Sequence, residues 1–364
     1  MQRNSYSTRI FGINRSRILL AVLSVFLCAH AVALPVKDLY TAEILVPAND
    51  NAALGKNARQ GMSQVLIRVS GATDVGQNPT IAAALDHPAD YYYQYGFEAT
   101  DETIGDGDQQ IPARMLRIAF EPSAVARLLR QAGYPVWGSN RPAVLVWVAV
   151  SEGGARQILT DNDKSDVMRA VQQEARLRGL PLLFPLMDLE DSAAISTAQI
   201  WGMFLDQIDA ASVRYNPDVV IAARIQVDSV GQWSGSWNYR IENHWQAMDD
   251  SSPTVTGLVN DMVDHLANDL AHRYAVDSSR GSMLVRVEAI KNLKDYAAAS
   301  AYLQSLTPVV DLNVVEVQGD QVLFRLGTEG QPEQLEQIIG LDQDMVLVSP
   351  AIDNQPIQYR WIGK

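Results

Sequence analysis

The chain has 364 residues, a formal net charge of -13 and a hydrophobic content of 47%. At roughly 150 residues per domain, this length predicts two or three domains, and the composition excludes wholesale disorder and a fibre. The single Cys excludes a disulfide scaffold, and the excess of acidic side chains argues against nucleic-acid binding, which depends on Lys and Arg.

The first 33 residues have the pattern of a secretory signal peptide. Arginines without any acidic residue precede an apolar run at 18–27, and Ala31 and Ala33 are the small residues that a signal peptidase reads. We predict cleavage after Ala33, no membrane span after cleavage, and a soluble periplasmic protein. The run is shorter than the roughly 20 residues that span a bilayer, so an uncleaved membrane anchor is the weaker alternative.

Residues 34–138 are predicted to form an N-terminal α+β unit, because strand and helix patterns alternate over about a hundred residues. The Asn-Pro pair at 78–79 predicts a helix start. The predicted elements are a strand at 38–48, a helix at 51–70 that turns into a strand at 65–69, a helix at 80–85, a strand near 91–93, a polar loop at 101–110, a strand at 115–120 and a helix at 122–132.

Residues 139–276 are predicted to form a central α/β unit with an antiparallel meander and a long C-terminal helix. The run at 143–150 is apolar throughout, which is typical of a strand buried on both faces. The other predicted elements are helices at 165–178, 195–211 and 255–274, a buried strand at 180–186, and strands at 218–227, 232–241 and 244–248.

Residues 277–281 have the composition of a linker, and residues 281–364 are predicted to form a C-terminal ferredoxin-like unit. The order of its elements is βαββαβ, which is the split βαβ arrangement. The predicted strands lie at 283–290, 309–317, 321–326 and 345–348, and the predicted helices at 293–306 and 332–339.

Several stretches resemble a family of exported proteobacterial proteins. The matching strings are LYTAEILV, ARQGMSQVLIRVSG, LLRQAGYPVWGSNRP, VLVWVAV, RGLPLLFPLMDLED, IWGMF, ASVRYNPDVVIAARI and WSGSW. Over residues 38–275 the chain resembles the family described as domain of unknown function 2066. The resemblance implies export and brings no assigned activity.

An acidic loop is the strongest candidate for catalysis. Asp188, Glu190 and Asp191 follow a predicted buried strand, and ligands bind at the carboxyl ends of strands in parallel sheets. Two of these acids at glycosidase separation would serve as acid and base. The alternative, which we favour, is an exposed loop whose acids cap the following helix. Motifs for serine nucleophiles, nucleotide binding and zinc proteases are absent from the sequence.

Tryptophans form a second candidate site. Trp233 and Trp237 alternate along one predicted strand, and Trp245 lies on the next strand. Such a stripe can form a platform for a sugar ring or for a partner's apolar anchor. The favoured alternative is a core position beneath the helix at 255–274.

Trp137 and Arg141 mark the boundary between the first two units. They are candidates for a partner-binding edge, since a guanidinium binds carboxylates through paired hydrogen bonds. A structural hinge, in which Trp137 wedges the two units together, is the favoured alternative.

No metal or other cofactor is predicted. His265 and His272 lie two helical turns apart, which is too far for one zinc ion, and the loop at 161–166 lacks the Gly and Glu of a calcium loop. We therefore expect a non-enzymatic interaction or adaptor protein of the cell envelope that binds another envelope protein. The alternative is a periplasmic hydrolase or glycan-binding protein that uses the acidic loop and the tryptophans.

Overall fold

The structure is a computed structural model that describes residues 36, 38–50, 52–105, 110–276, 280–342, 344–350 and 355–363. The predicted signal peptide with its cleavage site at Ala33, residues 106–109 of the predicted polar loop, and residues 277–279 of the predicted linker lie outside the described residues. The described residues contain three sheets with helices packed on them, so the predicted mixture of α/β and α+β architecture is confirmed.

The first sheet is antiparallel and has the strand order β1-β3-β2. Its elements are β1 (Thr41–Pro47), α1 (Ala53–Ser70), α2 (Pro79–Leu85), β2 (Tyr92–Ile104), β3 (Ile111–Phe120) and α3 (Pro122–Gln131). Asn78 caps α2 as predicted, because its side chain accepts a hydrogen bond from the backbone N–H of Thr80. The polar stretch predicted as a loop is strand as far as Ile104.

The predicted change from helix to strand at residues 65–69 is wrong, since α1 continues to Ser70. The apolar residues that indicated a strand have helical spacing: Val65, Leu66 and Val69 form one buried stripe that packs on β1 and β3. Gly61 allows the close approach, because a Cβ there would lie 3.0 Å from the Cβ of Ala42.

The second sheet has the order β5-β4-β7-β8-β9, and β6 pairs with β4 beside β5. Its strands are β4 (Val144–Glu152), β5 (Ala155–Ile158), β6 (Leu182–Leu183), β7 (Val219–Val227), β8 (Trp233–Ile241) and β9 (His244–Ser252). Its helices are α4 (Asp166–Arg178), α5 (Leu189–Ala194), α6 (Thr197–Trp201), α7 (Leu205–Ser212) and α8 (Val255–Tyr274).

Helices cover both faces of this second sheet. The long helices α4 and α8 pack on one face and the short helices α5 to α7 pack on the other. As a result β4 is buried over seven successive residues, from Val144 to Val150. The strand predicted at 180–186 is reduced to Leu182 and Leu183, because prolines flank it at 181 and 185 and remove backbone donors.

The third sheet has the order β11-β12-β10-β14-β13. Its elements are β10 (Arg280–Glu288), α9 (Leu293–Ser305), β11 (Val309–Gln318), β12 (Gln321–Glu329), α10 (Pro332–Leu341), β13 (Met345–Ser349) and β14 (Ile357–Trp361). The sequence analysis did not predict β14, which pairs in parallel with β10 and separates it from β13. Alternate residues of β14, Ile357, Tyr359 and Trp361, are buried against the core.

A buried arginine, Arg141, joins the first two sheets and their helices. All five N–H groups of its guanidinium donate hydrogen bonds to backbone carbonyl oxygens at 2.7–3.1 Å. The acceptors are the carbonyls of Arg68, Trp137, Gly138, Arg178 and Gly179. Two of the acceptors, at Arg68 and Arg178, belong to the last turns of α1 and α4, where helical carbonyls lack intrahelical partners.

Two further arginines extend this junction. Arg68 donates to the carbonyl oxygens of Asp38, Leu39 and Thr41 at the start of β1 and to that of Leu177 in α4. Arg178 donates to the carbonyl oxygen of Gly71 and to the side chains of Asp264 and Asn268 on α8. We call Arg68, Arg141 and Arg178 the arginine junction.

The third sheet is fixed to the other two by polar and apolar contacts. Arg130 of α3 pairs with the buried Glu329 of β12 at 2.7 Å. Val136 and Val276 form an isolated antiparallel bridge, and one apolar core continues from the α8 side of the second sheet into the third. The residues Ala33–Lys364 therefore form one compact unit, and the domain boundaries drawn from the sequence stay predictions.

None of the described helices has the length and apolarity that a membrane span requires.

Gly71 is expected to be essential for docking α1 on α8. Its φ is +75°, and an added Cβ would overlap the Cβ of Ala271. Gly133 is the matched control, because its φ is +78° and a Cβ there would meet nothing within 4 Å. We expect Gly133→Ala to lower the free energy of unfolding by about 1 kcal/mol, from the left-handed backbone alone. Gly71→Ala should cost about 2 kcal/mol more, because of the overlap. Equal urea-denaturation midpoints for the two variants would contradict this packing.

Replacing Arg141 by Met is expected to lower the free energy of unfolding by about 3 kcal/mol or more, because five buried carbonyls lose their donors. Arg169→Met is the control, since Arg169 forms only an exposed pair with Asp166 and should change stability by no more than about 0.5 kcal/mol. Urea denaturation of both variants measures the difference. A loss at Arg141 as small as that at Arg169 would show that the junction contributes little.

Candidate functional site

The acidic loop forms a closed network of hydrogen bonds rather than an open pair of carboxylates. Asp188 caps α5 by accepting from the backbone N–H groups of Glu190 and Asp191. Arg214 donates to Asp188 through two nitrogens, at 2.8 and 2.9 Å, and to Asp191 at 2.9 Å. Tyr215 donates its hydroxyl proton to Asp191, which is fully buried.

These contacts shift the pKa values of Asp188 and Tyr215. Hydrogen bonds from Arg214 and from the backbone hold the pKa of Asp188 far below its usual range. Burial and the hydrogen bond to Asp191 raise the pKa of Tyr215 to about 12. With its lowered pKa, Asp188 is a poor general acid at neutral pH. The carboxylate of Asp191 accepts hydrogen bonds from Arg214, Tyr215 and the N–H of Met187. Glu190 lies at the exposed rim, 3.5 Å from Arg214.

The tryptophans of β8 lie on the sheet face that α8 covers. Trp237 is 2% exposed and stacks on Tyr239 at a centroid distance of 5.2 Å, and the ring of His265 on α8 meets both edge-on. Trp233 is partly buried against the same core. Trp245 packs on the opposite side of the sheet and donates to Asp209. They form no shared platform, since α8 fills the space over Trp233 and Trp237.

Arg141 belongs to the arginine junction and Trp137 packs against it, so neither residue lies at an accessible edge. Trp137 is 1% exposed, its backbone N–H donates to the carbonyl of Val69 at 2.6 Å, and the Arg141 guanidinium stacks on its ring at 3.9 Å. Burial, together with the charges of Arg68 and Arg178, lowers the pKa of Arg141. A partner has no access to this guanidinium, so the contacts support the structural alternative for both residues.

An aromatic strip on β2 is the most prominent exposed feature near the first sheet. Tyr92, Tyr95 and Phe97 point to the same sheet face as Phe120, Ile118 and Leu116, with which they are paired across the strands. We call these three β2 residues the aromatic strip. Their rings meet edge to face in a row that starts at Phe120, with centroid distances of 6.2–6.3 Å. The strip is therefore an extension of the core face.

The strip is exposed because α1 does not reach β2. Tyr95 is 51% and Phe97 38% exposed, whereas Leu116 and Ile118 on the neighbouring strand are fully buried under the helix. Among the described strands, β2 pairs only with β3, so the other edge of β2 presents free backbone donors and acceptors. Exposed aromatics on an open strand edge mark an interaction surface.

Acidic side chains lie on the reverse face of the sheet, opposite the aromatic strip, and further along β2. Glu98 of β2 shares Arg117 with Glu43 and Asp38, so that one guanidinium lies within 3.3–3.4 Å of three carboxylates. Two further acids, Asp101 and Glu102, follow on β2. The cation nearest to the strip is Arg114, whose guanidinium stacks on Phe97 at 3.8 Å. The reverse face of this edge therefore has a negative charge.

The sequence pattern predicts a strand near residues 91–93 but no role for them. The available signal is the aromatic-rich segment YYYQYGF, which contains no apolar aliphatic residue. Which of its faces stays uncovered depends on where α1 docks. That position is a tertiary feature and cannot be read from the strand pattern.

Comparisons with known proteins give a family match for one part of the chain. Residues 33–138, which contain the first sheet, match the family model described as "Domain of unknown function (DUF8605)". No curated protein matches the chain. A solved structure described as "Crystal structure of uncharacterized protein" has 10% sequence identity, covers 36% of this chain and 91% of its own, and has a TM-score of 0.18. A TM-score this low carries no inference.

The resemblance to domain of unknown function 2066 is wrong. The family model that matches belongs to a different family of unknown function, and its match ends at residue 138 rather than continuing to 275. The short strings that carried the resemblance lie in strands, in turns and in helices such as α1. Export is therefore supported only by the N-terminal pattern of charge and apolar residues.

The raised pKa of Tyr215 predicts how the acidic loop responds to alkali. The folded state keeps the proton until about pH 12, whereas an unfolded Tyr loses it near pH 10. The stabilisation is therefore complete below about pH 10 and is lost as the pH rises towards about 12. Tyr215→Phe is expected to be less stable than the unchanged protein by about 2 kcal/mol at neutral pH, because Asp191 loses a donor.

The difference in free energy of unfolding between the two proteins should shrink from about pH 10 upwards. Urea denaturation at a series of pH values measures it, and taking the difference removes the contribution of the other tyrosines. A difference that stays constant up to about pH 12 would show that Tyr215 does not hold its proton through Asp191.

Proposed function

We propose that the protein is a periplasmic, non-enzymatic interaction protein that acts as an adaptor in the cell envelope and binds its partner on the aromatic strip. The observation that carries the proposal is the row of half-exposed aromatic rings at an open strand edge, Tyr92, Tyr95 and Phe97. Aromatic side chains bury a large area with little loss of conformational entropy, which suits them to binding. The N-terminal sequence pattern supports the periplasmic location.

The contacts of the other candidate residues support a binding role over catalysis. Asp188 and Asp191 are paired with Arg214, and Trp237 is covered by α8. The hydrolase or glycan-binding alternative needs an accessible acid with a raised pKa beside exposed indole rings. The surroundings of Asp188 lower its pKa, and so this alternative gains no support from the geometry.

The proposal predicts a partner that contacts position 95 in the cell. A photo-reactive phenylalanine in place of Tyr95, in the chromosomally tagged protein, should crosslink one identified envelope protein in near-stoichiometric yield. The same group in place of Val230 is the control, because Val230 is 85% exposed in a turn of the second sheet. Mass spectrometry of the crosslinked species identifies the partner. The same products from both positions, or none from position 95, would contradict the proposal.

The location is tested separately by cell fractionation and N-terminal sequencing. The expected result is a processed chain in the periplasmic fraction that begins at Leu34, since cleavage is predicted after Ala33. A chain found in the cytoplasmic fraction would contradict the proposed adaptor role in the envelope, whichever partner it binds.

A further inference from the structure

The chemistry of the β2 edge specifies what kind of segment it binds. Side chains on a strand alternate between two faces, so a strand added to β2 would direct one set towards the aromatic strip and the other towards the reverse face. The strip face presents Tyr95 and Phe97, and the reverse face presents Gln94, Gly96 and Glu98. One face requires apolar side chains and the other requires polar ones.

The reverse face selects for positive charge. Glu98, Glu43 and Asp38 outnumber the single Arg117 that they share. Gly96 leaves open space in front of these carboxylates, because a Cβ at this position would meet nothing within 4 Å. A long basic side chain from an added strand can lie over Gly96 and reach Glu98.

The backbone of β2 supplies the remaining part of the site. The described strands leave one edge of β2 unpaired over its length from Tyr92 to Ile104. An extended segment that lies along this edge gains main-chain hydrogen bonds, and side-chain alternation provides the specificity. The register irregularity between Tyr92 and Gln94 turns Tyr93 outward, where it is 64% exposed at the beginning of the edge.

We propose that β2 binds an extended segment of a partner protein as an additional strand, in which apolar residues alternate with Lys or Arg. The apolar residues pack on the aromatic strip and the basic residues face Glu98 and its neighbouring carboxylates. This inference rests on the proposed function as an interaction protein and names the chemistry of its partner.

The test uses synthetic peptides and the folded protein. A fluorescently labelled peptide of alternating valine and lysine should bind saturably in an anisotropy titration. Alternating valine and glutamate should bind at least about tenfold more weakly, because like charges then face each other. The valine–lysine peptide with N-methyl groups on alternate backbone amides should also bind about tenfold more weakly than the unmethylated peptide, because it cannot pair with the strand edge.

Variants of the protein locate the site. Tyr95→Lys should weaken binding of the valine–lysine peptide by about tenfold, since it places a charge on the strip and repels the basic segment. Val230→Lys adds the same charge at an exposed turn and should leave binding unchanged. Glu98→Gln should weaken binding of the valine–lysine peptide and strengthen binding of the valine–glutamate peptide. Circular dichroism and thermal melting establish that each variant is folded.

The inference is overturned if the valine–lysine peptide does not bind, if the glutamate or N-methylated peptide binds equally well, or if Tyr95→Lys behaves like Val230→Lys. The crosslinking at position 95 separates this failure from that of the proposed function. An identified partner at that position together with inactive peptides would retain the interaction role and reject strand addition. The absence of any partner would reject both.

Discussion

The fold depends on a buried cation that pairs with no carboxylate among the described residues. Moving a charged group out of water costs several kcal/mol unless it is compensated, and Arg141 is fully buried. Compensation comes from carbonyl oxygens at the C-terminal ends of α1 and α4, where each helix has a partial negative charge. The charge is stabilised only if both helix ends stay in place. Arg141 thereby holds together the C-terminal ends of two helices, one packed on the first sheet and one on the second.

The position of Gly179 shows how tightly the junction is packed. Gly179 ends α4 with a φ of +67°, and a Cβ there would lie 2.6 Å from Nη1 of Arg141 and 2.8 Å from Cγ of Arg68. The helix end must therefore lack a side chain for the guanidinium to reach its carbonyl. Arg68 and Arg178 then connect the same helix ends to β1 and α8. The junction restricts α1 at its C-terminal end, and the close contact of Gly61 with β1 restricts its centre.

This restriction explains why the aromatic strip stays exposed. A helix that is held at its C-terminal end by Arg141 and at its middle by the contact with Ala42 cannot slide across the sheet to cover β2. The apolar face of the sheet is wider than α1, and the part that α1 leaves uncovered carries aromatic side chains. The arginine junction and the proposed binding edge are therefore linked. The junction helps to set the position of α1, and that position determines which part of the sheet stays exposed.

The sequence predicted those features that are local and left out those that depend on packing. The continuous apolar run of β4 predicted burial on both faces, and the Asn-Pro pair predicted the start of α2. The strand expected at 65–69 is wrong because Val65, Leu66 and Val69 occupy one stripe of a helix. The pattern of Ile357, Tyr359 and Trp361 alternates in the sequence, yet β14 is not among the predicted strands. Tryptophans are the largest apolar anchors and so suggest a binding site in the sequence, but the apolar stripe of α8 covers Trp237.

The acidic character of the β2 edge also bears on self-association. An exposed edge with aromatic side chains is able to pair with the same edge of a second copy. Pairing of two copies would bring together Glu98, Asp101 and Glu102 from both strands, and like charges on facing strands are destabilising. A strand with basic side chains meets no such repulsion. The same carboxylates that attract the proposed partner thus disfavour pairing of β2 with the β2 edge of a second copy. This repulsion is consistent with an open aromatic edge on a chain with a net charge of -13.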